Sequence, residues 1–377
     1  MSQPTAPALI ITGMHRSGTS LAASLVASAG VHLGERLMGP GRGNVKGHFE
    51  DLDFYELHQL ALTANGLGCE GFSCQQSIVV PPAIGEALDA LVERRRGGDA
   101  PWGWKDPRTT LFLEMWRDKL PEARFLLVFR RPWEVMDSLY RRGDQTFTIN
   151  PRLALDIWLA YNRRIHDFYL AHHDRCLLVE TARVCRDPVG VIAAAGRLMG
   201  VELPRPDDRY DPALLVEDSS CGRVDLVHGM RAEACGLYET LRELAGEPAA
   251  PRRDPPRDRG PSHADDSAQA DRLIDAAAMQ WARAARAEQL GHCREAELAT
   301  TAQLLAATQA ERDHLANGLA QRTAEHEVAA REVVMLREQL LRARHRKTIG
   351  ERLTLESRRI LRQACRFVGL TGPAAMS

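Results

Sequence analysis

The stretch from Ala8 to Leu25 constrains the fold more than any other part of this 377-residue chain. The apolar run Ala8-Leu9-Ile10-Ile11-Thr12 has the length of a buried strand. Directly after it come Gly13-Met14-His15-Arg16-Ser17-Gly18-Thr19-Ser20 and then the apolar helical pattern Leu21-Ala22-Ala23-Ser24-Leu25. Strand, glycine-containing loop and helix in that order turn backbone N–H groups and the positive end of a helix toward one anion, which makes a phosphate cradle. The spacing from Gly13 to Gly18 also matches a Walker A loop, but Thr19 stands where that loop carries its lysine. A kinase or nucleotide triphosphatase would lack the cation that reaches the terminal phosphates, so that class is the weaker alternative. The bland alternative is a strand-to-helix turn in which Gly18 serves only as a tight bend.

Further apolar runs at Arg124–Phe129 and Arg175–Val179 predict two more buried strands, and Trp102–Lys105 predicts a short one. Helical patterns are expected over Thr19–Ala29, Asp51–Ala64, Ile84–Arg95, Trp133–Arg142, Pro151–His172 and Pro188–Met199. Short strands alternating with helices predict an α/β fold, a P-loop-like three-layer domain around a central parallel sheet. This domain is expected to span residues 1–246. Five prolines among Arg and Asp between Glu247 and Ser267 predict a flexible linker over 247–268.

Beyond the linker, Leu298, Leu305, Arg312, Leu319, His326, Val333 and Leu340 recur every seven residues, with Thr301, Thr308, Leu315, Arg322, Ala329, Leu336 and Ala343 three places later. That seam predicts a coiled-coil helix over 269–345 and homo-oligomerisation through it, against the alternative of a solvated single helix rich in charge pairs. A basic helical tail is expected over 346–377, a candidate for peripheral contact with an anionic membrane or a partner. A solvated helix end is the competing reading. The formal net charge of −1 gives no reason to expect nucleic acid as a partner. Eight cysteines without CxxC pairs read as reduced thiols, and Met1 to Pro7 lack a basic leader. A cytoplasmic location is therefore the expectation.

Chemistry gathers at three further places. Phe129-Arg130-Arg131-Pro132-Trp133-Glu134-Val135-Met136-Asp137-Ser138 follows a predicted strand, and its proline pre-sets the first turn of a helix, so Arg130 falls at the strand end and Ser138 two turns on. Trp102-Gly103-Trp104-Lys105-Asp106-Pro107-Arg108 ends a short strand in a turn. Gly47-His48-Phe49-Glu50-Asp51 precedes a predicted helix, where acidic residues also serve as caps. His172-His173-Asp174 lies at a helix C-terminus, where histidine is favoured electrostatically, and no metal site is expected there or elsewhere. Trp133, Trp158 and Tyr161 could line a sugar platform, but at helical spacing they read first as core.

Arg16-Ser17-Gly18-Thr19-Ser20 after the first strand, with Arg130 and Ser138 eight residues apart after a later one, resembles the sulfotransferase family that uses 3′-phosphoadenosine 5′-phosphosulfate (PAPS). The resemblance covers residues 8 to about 220. Lys105-Asp106-Pro107 is similar to the carbohydrate and tyrosylprotein branch. The resemblance implies that His15, Arg16, Ser17, Gly18, Thr19 and Ser20 hold the 5′-phosphosulfate of PAPS as co-substrate, and that Arg130 and Ser138 hold the 3′-phosphate. Lys105 would neutralise the leaving bridge. Glu50, with Asp51 and His48 behind it, would take the acceptor's proton. Sulfuryl transfer to an acceptor hydroxyl on a glycan, glycolipid or small molecule, releasing adenosine 3′,5′-bisphosphate (PAP) without a metal, is the implied reaction. An inactive PAPS-binding scaffold working through the coiled coil is the alternative from another class.

Overall fold

The structure is a computed structural model that describes residues 8–39, 47–96, 100–207, 221–247, 264–345, 360 and 362–364. Its elements run β1 (Leu9–Thr12), α1 (Thr19–Ser28), α2 (Leu52–Ala64), α3 (Pro82–Arg95), β2 (Gly103–Lys105), a 3₁₀ turn at Pro107–Phe112, α4 (Leu113–Lys119) and β3 (Arg124–Phe129). They continue with α5 (Pro132–Arg142), α6 (Gln145–Ile149), α7 (Arg152–Ala171), β4 (Cys176–Glu180), α8 (Thr181–Arg186), α9 (Pro188–Met199), α10 (Cys221–Met230), α11 (Ala232–Leu244) and α12 (Ala264–His345).

The four strands form one parallel sheet in the order β2-β1-β3-β4. Alternation along each strand divides its side chains between two apolar layers. Ile10, Phe125, Leu127, Phe129 and Leu178 face the core shared with α2 to α5, α7, α10 and α11. Leu9, Ile11, Leu126, Val128 and Val179 face the layer built from α1, α8 and α9. Both faces are covered, as a parallel sheet requires, so its strands read as unbroken apolar runs. The expected three-layer α/β fold is the one observed.

From β1 the chain crosses to β2 on one side and later to β3 on the other. The strand order thus reverses beside β1, and the crevice at the carboxyl ends of β1 and β3 is the natural ligand position of such a sheet.

The predicted strand at Arg175–Val179 shifts by one residue, because Arg175 closes a 3₁₀ turn and pairing with β3 begins at Cys176. The short helices α4, α6 and α8 and the Pro107–Phe112 turn carry too few residues for a periodic pattern, and they were not expected; nor were the longer α10 and α11.

The described chain divides into two compact units, Met1–Gly291 and His292–Ser377. In the first, Ala278, Trp281, Ala282 and Ala285 of α12 join the core. Trp281 sets its ring edge-on to Tyr140 at 5.2 Å and donates from Nε1 to Asp137 Oδ1 at 2.9 Å. In the second, residues 292–342 are a mostly exposed helix. The expected linker falls mainly outside the described residues, as do the basic tail apart from residues 360 and 362–364 and the excursion from residue 40 to 46. Among the described residues, no helix is long and apolar enough to cross a membrane.

Candidate functional site

Two glycines shape the loop after β1. A Cβ on Gly13 would lie 2.0 Å from the Val128 carbonyl oxygen, so only glycine lets the loop pass this close to β3. Gly18 is left-handed (φ +82°), caps α1 and abuts Thr181. Thr181 follows β4 and donates to the Ser17 carbonyl and, at 3.0 Å, to the Phe129 carbonyl, fastening the loop to the ends of β3 and β4. Between the glycines Arg16 also holds a positive φ of 68°. The other such non-glycine residue among those described is Phe49 (φ 57°), next to Glu50. Left-handed backbone costs a side-chain-bearing residue of order 1 kcal/mol or more and tends to collect at functional sites.

Arg16 Nε donates to Ser138 Oγ at 2.8 Å, and Arg130 Nη1 donates to the Arg16 carbonyl at 3.3 Å. Arg130 Nε is held by Glu134 at 2.8 Å, and its carbonyl accepts from Trp158 Nε1 at 3.0 Å. The first loop, the end of β3 and the second turn of α5 therefore meet. Burial, then the neighbouring Arg142 and Arg130, lower Arg16 to about 10, which leaves it cationic at neutral pH. Glu134 on Arg130 and Asp144 on Arg142, at 2.8 and 2.6 Å, offset part of this positive charge.

The loop also holds buried polar atoms that fit an anion. Ser17 Oγ and His15 Nε2 are enclosed and have no hydrogen-bond partner among the described residues, an expensive condition for buried groups. Burial, followed by Arg108 and Arg142, keeps His15 well below the ordinary imidazole range, so its ring is neutral at pH 7. No carboxylate interrupts the run from His15 to Ser20. Thr19 is buried and Ser20 partly so, and the first N–H groups of α1 lie beyond the reach of intrahelical carbonyls.

At the end of β2, Lys105 is 1% exposed, and its Nζ donates to Glu50 Oε1 at 2.8 Å. Burial pushes the Lys105 ammonium down, and Glu50 pulls it partly back. Arg108 Nη1 approaches the other Glu50 oxygen at 3.5 Å. Ser20 Oγ donates to the His48 carbonyl at 3.2 Å, which joins the Gly47–Asp51 segment to the loop after β1. His48 is half-buried and lowered by that burial, against the pull of Glu50.

The capping explanation weighed for both acids applies to Asp51. Its side chain accepts from the Asp53 N–H at 3.1 Å and from Arg95 Nη2 at 2.8 Å. Glu50 turns the other way, toward Lys105.

Sequence reasoning missed the groups behind this pair. Asp106 Oδ1 accepts from Arg108 Nη1 at 3.0 Å and from the Arg108 N–H at 2.9 Å. His58 Nδ1 lies 2.7 Å from Asp106 Oδ2, and Trp116 Nε1 donates to His58 Nε2 at 3.0 Å. That second bond makes Nε2 the acceptor, so the ring hydrogen sits on Nδ1 and is given to Asp106. Burial alone would raise the Asp106 carboxyl, but Arg108 and His58 hold it well below the usual carboxylate range. Nothing in its local sequence marks His58, which lies in the middle of α2. Its role appears only once α2 is packed against the Pro107–Phe112 turn.

Trp158 and Tyr161 are fully buried and Trp133 is 9% exposed, as their core reading requires. Among the described residues no group of three or more His, Cys, Asp or Glu is arranged to hold a metal ion.

No protein-family model matches the sequence, and no curated protein matches it. Among solved structures it is similar to the sulfotransferase domain of the Synechococcus PCC 7002 olefin synthase, at 19% identity over 64% of this chain and 96% of that one, with a TM-score of 0.41. A sulfotransferase from Alicyclobacillus acidocaldarius is similar at 14% identity over 66% and 98%, with a TM-score of 0.41. Sulfotransferase STF9 from Mycobacterium avium is similar at 14% identity over 67% and 79%, with a TM-score of 0.40.

Proposed function

We propose that this chain is a PAPS-dependent sulfotransferase that moves a sulfuryl group to an acceptor hydroxyl and releases PAP. The observation that carries the reading is the junction at Arg16, where the phosphate loop, Arg130 and Ser138 come within hydrogen-bond distance of one another. A hydroxyl-lined loop beside the Arg130 guanidinium at the β3 end supports a nucleotide with phosphates on both its 5′ and 3′ positions.

When bound, PAPS supplies a sulfuryl group already activated on a phosphate–sulfate bridge. Ser17, Thr19, Ser20 and the α1 N–H groups would grip the 5′ end, and Arg130 with Ser138 the 3′-phosphate. Glu50 takes the proton of the acceptor hydroxyl as its oxygen bonds to sulfur. Lys105 balances the charge, or gives a proton, at the bridging oxygen as the old sulfur–oxygen bond breaks. At rest the two groups satisfy each other, so neither is left as an uncompensated buried charge. The acceptor belongs to the glycan, glycolipid or small-molecule hydroxyl class.

The test is incubation with sulfur-labelled PAPS and fractionated cell extract, beside thermal shifts with PAP and with ATP–magnesium. Label transfer and a shift with PAP are expected. A shift with ATP–magnesium and none with saturating PAP would overturn the donor, and PAP binding without turnover of any acceptor would favour the scaffold.

A further inference from the structure

Residues 292–342 present an exposed apolar stripe. Leu298, Leu305, Leu315 and Leu319 are between 65% and 70% exposed. With the heptad lettered from Leu298 at a, the intrahelical charge pairs Glu327–Arg331 and Glu338–Arg342, each at 3.4 Å, fall at b, f and c. These two ion pairs therefore lie off the seam, on a face that also carries the exposed apolar residues Val328, Val334, Met335 and Leu341.

The charges beside the seam say what covers it. Both charged or titratable a positions, Arg312 and His326, directly follow a glutamate at g, Glu311 and Glu325. In a parallel two-stranded coil the g residue of one helix lies beside the next a and e residues of the other. Glu311 then meets the second copy's Arg312, Glu325 meets its His326, and Glu332 at g meets its Arg337 at e. Antiparallel pairing instead places g beside g, bringing acids against acids among Glu297, Glu311, Glu325 and Glu332.

We propose that residues 292–342 pair with a second copy of this chain as a parallel, in-register coiled coil. Arg312 lies along the seam by its methylene stem and sends its guanidinium outward to the second copy's Glu311. Its present partner is Asp313 at 3.1 Å, an exposed adjacent pair of a kind worth little, so the exchange costs little. Glu325 gives one oxygen to Gln321 at 3.1 Å within its own helix. Arg322 puts charge at a d position and marks the weakest layer.

Light scattering of the full chain over a range of concentrations should report a dimer. Ala329→Cys, at d, should form an intermolecular disulfide under mild oxidation beyond the background of the parent chain, while Gln303→Cys, at f, should not. Arg312→Glu should weaken the dimer by roughly tenfold or more, and Glu311→Arg with Arg312→Glu should restore most of it. A monomer at every concentration would overturn the proposal. So would a dimer in which Ala329→Cys is not trapped, or one equally weakened by the single and double charge changes. Each substitution lies on an exposed helix, so loss of folding would not mimic these results.

Discussion

Glu50 and Asp51 are adjacent acids with different work. Asp51 caps α2 and binds Arg95, whereas Glu50 lies buried between Lys105 and Arg108. Glu50→Gln keeps the volume and removes the basic oxygen. Turnover should fall by roughly 10²–10⁴-fold while PAP affinity holds, and the melting temperature should drop because the buried Lys105 ammonium loses its counter-charge, measured by label transfer, titration and thermal unfolding. Near-normal turnover, with loss instead in His48→Asn, would move the base to His48. Arg130→Ala should weaken PAP far more than adenosine 5′-phosphosulfate, which lacks the 3′-phosphate; equal losses would remove Arg130 from that role. His15 supplies a pH signature. Its folded imidazole is held below the ordinary 6.5, chiefly by burial, so the unfolded chain takes a proton there that the folded chain refuses. The stability it contributes is whole above about pH 6.5 and is lost on acidification, by up to about 1.4 kcal/mol per pH unit. His48 shifts in the same direction. Melting temperature should therefore fall from about pH 7 to about pH 5 more steeply in the parent than in His15→Gln, and parallel slopes would show that His15 is not the group responsible.

At the scale of elements, the strands and the longer helices as far as α9 were legible because burial on both sheet faces writes continuous apolar runs, and because Pro132 and Pro188 mark helix starts, whereas α10 and α11 were not. The loop at Gly13–Ser20 was legible because it follows a strand directly, whereas Arg130 and Ser138 were singled out by the family resemblance. What stayed hidden was lateral. The His58–Asp106–Arg108 chain joins the middle of one helix to the turn after a distant strand, and Thr181 acts across the sheet on Ser17 and Phe129. No periodicity records such a meeting. The glycines offer a test of the loop. Gly13→Ala would drive a Cβ into the Val128 backbone carbonyl, whereas Gly18→Ala meets the Thr181 side chain and a strained φ. Both should abolish PAP binding, and Gly13→Ala should lower the melting temperature further, because backbone inside a sheet yields less than a side chain. The reverse order would mean that the strain at Gly18 dominates.

At the scale of the whole molecule, the compact unit depends on the first turns of α12. Trp281→Ala should cost about 3–5 kcal/mol, because it removes a buried ring and its bond to Asp137. A chain ending at Gly291 should melt close to the full chain, and one ending before Ala264 well below it; equal melting temperatures would show that α12 adds nothing to the core. The site has a different dependence on the whole. Arg16 and Ser138 are 122 positions apart, Lys105 and Glu50 are 55 apart, and Thr181 and Ser17 are 164 apart. No excised peptide brings these groups together, and any half-folded form lacks at least one strand end. A ligand that grips both the first loop and the end of β3 therefore recognises completed topology rather than a local motif, and its binding energy is withheld from every partly assembled form. Supplied during refolding, PAP would act as a chemical chaperone, raising the yield of the finished fold in a way that a ligand of either strand end alone could not.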